Sequence, residues 1–424
     1  MALTYQQSKL VKDTLPALRE HGEQITTTFY RNMLRDHPEL NNYFNSVNQK
    51  NGRQPRALTS VILNFASNIN HMSDLIPKFE RMCNKHCSLG IRPEHYDIVG
   101  KYLLRAFGEV LGPAMTTDVF AAWEKAYWAL AKMLIGREAQ LYKDFEEWTS
   151  WRRFKIDRVV PETEDVYSFY LVPEDGRKLP EFLPGQYVSL RVRGPEGYAQ
   201  ARQYSLSAAW RPDYYRISVK RDEGARYANS VARSYFHPGL VSNLLIDQMA
   251  PGSTVELSHP AGDFFLDVRN NTSTLPLVLI SAGVGATPMV AIADTVAATQ
   301  PGRPVSWIHG SRRSVPFEDH VARLRRSHGS GRGSGFFRTA VFKTRPAPGD
   351  AGDAATHNYV GRVDLALLDP HADLHLHNSG AEYYVCGPER FMMDVCDYLK
   401  AQGVAPARIK IELFSTGDLA MKRS

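Results

Sequence analysis

The hydrophobic period changes twice along the 424-residue chain, and those changes constrain the fold more than composition does. Up to about residue 148, apolar residues recur three to four apart in Ile25–Leu34, Leu58–Ile69 and Phe120–Ile135. Pro38, Pro93 and Pro113 punctuate the runs, so this region reads as all-α. From Arg152 apolar and polar residues alternate, through Phe154 and Ile156, then Tyr167, Phe169 and Leu171, then Tyr187 to Leu190. Pro173–Gly176 and Pro184-Gly185 mark turns, which predicts a small antiparallel β-barrel closing near Phe264-Phe265. After Asn271 short buried runs (276–281, 305–310, 383–386) alternate with helical ones (287–299, 391–402). Strands alternating with helices predict an α/β, doubly wound parallel sheet. The expected domains are therefore 1–148, 152–268 and 272–424. The Gly-, Ser-, Ala- and Pro-rich stretches Ser327–Gly335 and Pro346–Asn358 are expected as surface loops.

A chain with 43% hydrophobic and 23% charged residues can bury a core in each domain. The net charge of +6 is spread out, and clusters such as Arg323, Arg325 and Arg326 read as a solvated helix face. No basic stripe interleaved with aromatics is present, which argues against nucleic-acid binding. Four cysteines (83, 87, 386 and 396) make no disulfide framework and suit a reducing compartment. The first ten residues lack an apolar run, and Asp13 and Glu20 argue against a mitochondrial leader. The longest apolar stretch, Leu275–Ala298, is interrupted by Gly283, Gly285 and Pro288, so it reads as strand, loop and helix rather than a membrane span. A cytoplasmic monomer is expected.

Two motifs carry the redox chemistry. In Arg202-Gln203-Tyr204-Ser205 the guanidinium suits a pyrophosphate, the ring offers a face to a flavin, and the hydroxyl reaches a ring edge. Tyr187 supplies a second aromatic, and Gly239-Leu240-Val241-Ser242 opens a helix whose N–H groups suit phosphate. Taken alone, Arg-x-Tyr-Ser is also simply a strand. Gly283-Val284-Gly285-Ala286-Thr287-Pro288 falls where the first strand of the parallel sheet turns into its helix, so a nucleotide pyrophosphate can approach the backbone there. Cys386-Gly387-Pro388 ends a later strand at the same edge, although Cys386 is equally a small buried hydrophobe. Ser311-Arg312-Arg313 follows the second strand, where cations would favour NADPH over NADH and an exposed loop is the plain alternative. Over residues 152–424 these features resemble the ferredoxin–NADP reductase superfamily. That resemblance implies FAD, a nicotinamide coenzyme, and Phe414 stacked on the isoalloxazine, with Leu413, Ser415 and Thr416 beside it and Glu412 close by.

In the helical region His86 lies on a helix, a position more often structural than ligating when taken alone. Tyr30, Phe44, Gln54 and Leu58 precede it, and Tyr96 and Glu138 follow. This order resembles a globin, and joined to the reductase half it resembles a flavohaemoglobin over essentially the whole chain. The resemblance implies haem b held by His86, with Phe44 wedging it and Tyr30 and Gln54 facing bound oxygen. Glu138 and Tyr96 would steady the imidazole, and Lys85 would either tune the haem or stand exposed. Covalent haem attachment is not expected, because Cys-x-x-Cys-His is absent. The implied activity is a nitric oxide dioxygenase taking NO, O2 and NAD(P)H. Alternatives are a flavin-dependent haem or alkyl hydroperoxide reductase, and an oxygen- or NO-sensing globin. Three departures stand out: an apparent insertion at Ala225–Pro238, Ala286 in place of an expected glutamine, and Leu413 and Ser415 where cysteine and glycine are usual.

Overall fold

The computed structural model describes residues 3–44, 49, 52–71, 75–194, 197–224, 226–227, 235–236, 238–269, 273–329, 337–346 and 357–414. Among the described residues six α-helices form the first region: α1 (Tyr5–Asp13), α2 (Leu15–Asp36), α3 (Arg53–Ser67), α4 (Ile76–Leu89), α5 (Pro93–Leu111) and α6 (Thr117–Asp144). Their apolar faces meet in one core containing Ile25, Phe29, Met33, Phe65, Phe107 and Trp123. Local signals set the helix ends. Thr4 and Gln7 make a reciprocal capping box on α1. Gly90 stops α4 in the left-handed region at φ +77°.

The second region is antiparallel, as its alternation predicts. Its strands are β1 (Arg152–Pro161), β2 (Val166–Pro173), β3 (Tyr187–Arg193), β4 (Ala199–Ser205), β5 (Tyr215–Lys220), the two-residue pair β6 (Arg226–Tyr227) and β7 (Tyr235–Phe236), and β8 (Thr254–Leu257). The sheet order is β4-β3-β8-β1-β2-β5. An antiparallel bridge from Leu206 to Ile217 joins its two ends into a barrel. Phe154, Phe169, Val188, Leu190, Ile217 and Leu257 fill the interior. Helix α7 (Leu240–Gln248) covers one end, with Val241 and Leu245 in the same core. Apart from β6, β7 and Pro238, the 225–238 segment lies outside the described residues.

The third region is a parallel sheet of β9 (Leu277–Ala282), β10 (Val305–Ser311), β11 (Phe337–Lys343), β12 (His357–Val360), β13 (Glu382–Cys386) and β14 (Ile409–Glu412). It carries helices α8 (Ala286–Thr299), α9 (Glu318–Gly329) and α10 (Glu389–Ala401). The order β12-β11-β10-β9-β13-β14 puts the first strand in the middle, so the connections change direction between β9 and β13. Ligands bind in the crevice at such a switch point. The expected loops are shorter than the composition suggested, because Ser327–Gly329 completes α9 and His357-Asn358 begins β12. Pairing with the neighbouring strand overrides local composition there. Among the described residues no helix is long and apolar enough to cross a membrane.

The regions interlock. Trp148 stacks on Phe154 of the barrel at 5.8 Å, and Phe145 stacks on His259 at 4.4 Å. Tyr187 and Ala261 of the barrel belong to the helical core itself.

Candidate functional site

Helices α2 to α6 enclose an apolar cavity lined by Phe29, Phe44, Leu58, Ile62, Val99 and Leu134, among others. His86 enters it from α4, and its setting is specific. His86 Nδ1 lies 2.8 Å from Glu138 Oε1 and 3.1 Å from the Tyr96 hydroxyl, which donates to the same carboxylate oxygen at 2.6 Å. Glu138 is 3% exposed. Burial and the neighbouring carboxylate push the Tyr96 hydroxyl well above its ordinary range, so it stays protonated and donating. With Tyr96 spending its proton on Glu138, the network assigns the His86 proton to Nδ1. Nε2 is thereby left with its lone pair on the cavity side, the form an iron ligand requires. The α4 stop sets the height of the ring, since Ile91 N–H returns to His86 O at 3.0 Å.

Across the cavity Tyr30 is buried, meets Phe44 edge to face at 5.4 Å, and hydrogen-bonds Gln54. Burial raises its pKa, so its hydroxyl is a permanent donor. An apolar slot with a basic nitrogen on one side and a protonated phenol on the other fits haem b.

On the barrel, Arg202 and Tyr204 share one side of β4 by strand alternation. Arg202 is half-buried, and burial lowers its pKa; burial also lowers that of Lys85 on α4, which feels the Arg202 charge as well. Lys85 is therefore half-buried at the junction and not an exposed helix lysine. Tyr187 pairs with Ser205 across β3 and β4. At the start of α7 a Cβ on Gly239 would lie 2.6 Å from Asp222 Cβ and from Ser242 Oγ, so glycine is required there. Two expectations change. The Gly239 N–H is occupied by Asp222 O at 2.9 Å. Val241 gives only its backbone, because its side chain is core. The Gln203 side-chain amide donates to Ser189 Oγ at 2.9 Å. Arg202, two tyrosines and a helix N-terminus still fit FAD.

At the switch point Gly283 takes φ +56°, and Gly285 packs so tightly on β13 that a Cβ would lie 2.6 Å from the Cys386 carbonyl carbon. Val284 O accepts the Thr287 hydroxyl, while Ala286 and Pro288 are core. Cys386 is buried, and burial raises its thiol well above the usual range. Gly387 and Pro388 follow it into α10. Glu412, paired with Cys386 across β13 and β14, is pushed up to about 8 by burial, with Arg81 opposing. The Leu413 side chain belongs to the core, contrary to a role in contacting cofactor, because β14 leads it beneath the sheet. Phe414 is 48% exposed, and Ser415 and Thr416 lie outside the described residues. At the end of β10 the Ser311 hydroxyl is buried without a partner among the described residues, and Arg312 and Arg313 are exposed beside it. An orphaned hydroxyl near the switch point fits a nucleotide ribose.

Comparison with known proteins agrees with this three-part arrangement. The globin family model matches residues 27–134, the oxidoreductase FAD-binding domain residues 154–266, and the oxidoreductase NAD-binding domain residues 279–397. A "Flavohemoprotein" of Bacillus subtilis is 41% identical over 412 residues, covering 96% of each chain. One from Bordetella pertussis is 41% identical over 419 residues, 97% of this chain and 98% of its own. The chain belongs to the flavohemoprotein family. Its fold is similar to the crystal structure of a Malassezia yamatoensis flavohemoglobin with bound FAD and heme, with a TM-score of 0.81 and 30% identity over 98% of this chain and all of that one. It is also similar to the FAD/NAD-binding domain of a Vibrio cholerae nitric oxide dioxygenase, with a TM-score of 0.50 and 35% identity over 62% of this chain and 97% of that one. This flavohemoprotein is therefore an NAD(P)H-dependent oxidoreductase that uses haem and FAD.

Sequence reasoning missed the polar joints between the regions. Ala199 N–H donates to Asn42 Oδ1 at 2.7 Å, Gly262 N–H to Asn84 Oδ1 at 2.9 Å, and Arg81 Nη2 to Ile411 O at 2.8 Å. Asn84 and Ser88 are polar residues that are nonetheless buried on α4, which burial alone reveals.

Proposed function

We propose that this flavohemoprotein is a nitric oxide dioxygenase, consuming NO and O2 and forming nitrate with electrons from NAD(P)H. The observation that carries the reading is the pairing of a carboxylate-backed His86 with a protonated Tyr30 across one apolar cavity. When bound, nicotinamide and flavin supply electrons and the haem supplies the iron at which the gases react. The protein's own residues do the rest.

Gly283 and Gly285 open the crevice for the nucleotide. Arg202, Tyr187, Tyr204 and Ser205 hold the flavin, with Phe414 covering its ring. Glu138 holds the Nδ1 proton of His86 and makes the ring a stronger donor through Nε2, which favours oxygen activation over storage. Tyr30 donates a hydrogen bond toward the negative charge that develops distally, with Gln54 orienting it and Phe44 and Leu58 excluding water. Ser311, Arg312 and Arg313 favour NADPH by offering donors to a 2′-phosphate. We place the enzyme in the cytoplasm because all four cysteines are unpaired thiols, and take it to act as a monomer.

The test is NO consumption by the haem- and FAD-loaded protein with NADPH or NADH and oxygen, following nitrate and the Soret band. Rapid oxygen-dependent nitrate formation is expected. Reduced flavin beside an unreduced haem, or faster turnover of alkyl hydroperoxide than of NO, would reject the assignment.

A further inference from the structure

Helix α4 carries His86 toward the cavity and meets the reductase half with its opposite side. A residue two places from His86 lies about 200° around the helix, so Asn84 and Ser88 face away from the haem site. Arg81 shares their side, at the spacing of i, i+3 and i+7. Their side chains reach different parts of the reductase: Arg81 donates to Ile411 O and lies 3.8 Å from Asp263 Oδ1, Asn84 accepts from Gly262 N–H, and Ser88 accepts from the Ser189 hydroxyl at 2.8 Å and also hydrogen-bonds Tyr187.

The bond at Ser88 is part of a directed chain. Gln203 Nε2 donates to Ser189 Oγ at 2.9 Å, Ser189 Oγ donates to Ser88 Oγ, and Ser88 Oγ donates to Lys85 O at 2.8 Å. One end is the residue between Arg202 and Tyr204, and the other is the carbonyl of the peptide unit that supplies the His86 nitrogen. Ser88 and Ser189 are 1% and 0% exposed, and each spends its single hydroxyl proton within the chain. A buried hydroxyl is costly unless it is bonded. Val188 and Leu190 on either side fill the barrel core, so packing alone gives no reason for a polar residue at 189. The chain joins the helix under the haem to the strand under the flavin at one defined register.

We propose that Ser189 and Ser88 are positioning residues for electron transfer from flavin to haem, their hydrogen bond fixing how the His86 helix sits on the flavin-binding strands. The inference rests on the haem and flavin sites and not on which gas is oxidised.

The experiment is anaerobic stopped flow on the loaded holoenzyme mixed with NADH, using wild type, Ser88→Ala, Ser189→Ala and the double variant. NADH delivers two electrons to the flavin and each ferric haem takes one, so flavin bleaching and the Soret shift report the two steps separately. Flavin reduction should match wild type in every variant. Haem reduction should slow roughly 10- to 100-fold, the cost of ångström-scale misplacement. The double variant should be slowed by less than the product of the two single effects, because all three lose the Ser189–Ser88 bond. Hydrogen exchange across α4 in the full-length protein should quicken equally in all three, a readout independent of turnover. Unchanged haem reduction, single effects that multiply in the double variant, or an equal loss in flavin reduction would each overturn the proposal. Nitrate is not measured, so the outcome stands apart from the dioxygenase reading.

Discussion

Replacing Gly285 with alanine tests how the parallel sheet makes its nucleotide crevice. The new Cβ would lie 2.6 Å from the Cys386 carbonyl carbon and 2.9 Å from Gly387 N. Carbon contacts are most favourable near 3.5–4.0 Å, so the overlap is roughly 1 Å. The atoms struck are backbone, and Cys386 is held between Ser281 on β9 and Glu412 on β14. Neither side can rotate away, and the strands must part. Overpacking of this kind costs about 1–3 kcal/mol. If that strain appears as distortion of the crevice, nucleotide affinity falls roughly 5- to 150-fold, at about 1.4 kcal/mol per factor of ten. The assay is the concentration dependence of flavin reduction by NADPH and NADH in anaerobic stopped flow, with the Soret spectrum and FAD content as controls. Gly283→Ala is the internal comparison: among the described residues nothing lies within 4 Å of the Gly283 Cβ position, so it faces left-handed strain, about 1–2 kcal/mol. Gly283→Ala should therefore lose stability more than affinity. Wild-type affinity in Gly285→Ala, or an equal affinity loss in both variants, would refute the reasoning.

Three other outcomes are expected. Glu138→Gln keeps the volume but removes the charge that His86 and Tyr96 share, so haem midpoint potential should rise and nitrate formation fall roughly 10- to 100-fold; an unchanged potential in spectroelectrochemical titration would contradict this. Arg312→Ala should lower the NADPH-to-NADH ratio of kcat/KM, and an unaltered ratio would remove Ser311-Arg312 from nucleotide selection. Two buried groups should bend the pH–stability curve in opposite senses. Burial holds His309 near 4, so its contribution is present above the ordinary imidazole range near ~6.5 and is lost as pH falls from there toward 4. Glu412 sits at about 8, so its contribution is present below the ordinary carboxylate range near ~4.3 and is lost as pH rises through 8. Thermal midpoints of His309→Gln and Glu412→Gln from pH 4 to 9 should flatten the acid and alkaline limbs respectively, and parallel curves with wild type would count against both.

The candidate site was legible wherever function needs a local pattern. Gly283-Val284-Gly285 announced its turn because a strand-to-helix handover against a second strand admits only glycine at 285. Arg202 and Tyr204 were legible through their chemistry, a guanidinium for a pyrophosphate and a ring for a flavin, and alternation puts both on one side of β4. The bond from Gln203 to Ser189 on the neighbouring strand was not legible. Leu413 was read beside the flavin from its place next to Phe414, whereas its side chain packs into the core.

By itself the sequence determined the three architectures, because hydrophobic period and turn residues act over a few positions. It also determined that His86, Tyr96 and Glu138 were worth grouping, though only by their resemblance to a family pattern. The tertiary structure alone decided that these three meet, from helices 10 and 52 residues apart in the chain, at 2.6–3.1 Å. It alone turned α4 so that His86 faces the cavity while Arg81, Asn84 and Ser88 grip the reductase. Such joints depend on which surfaces pack together, and no local pattern encodes a hydrogen bond between serines 101 residues apart.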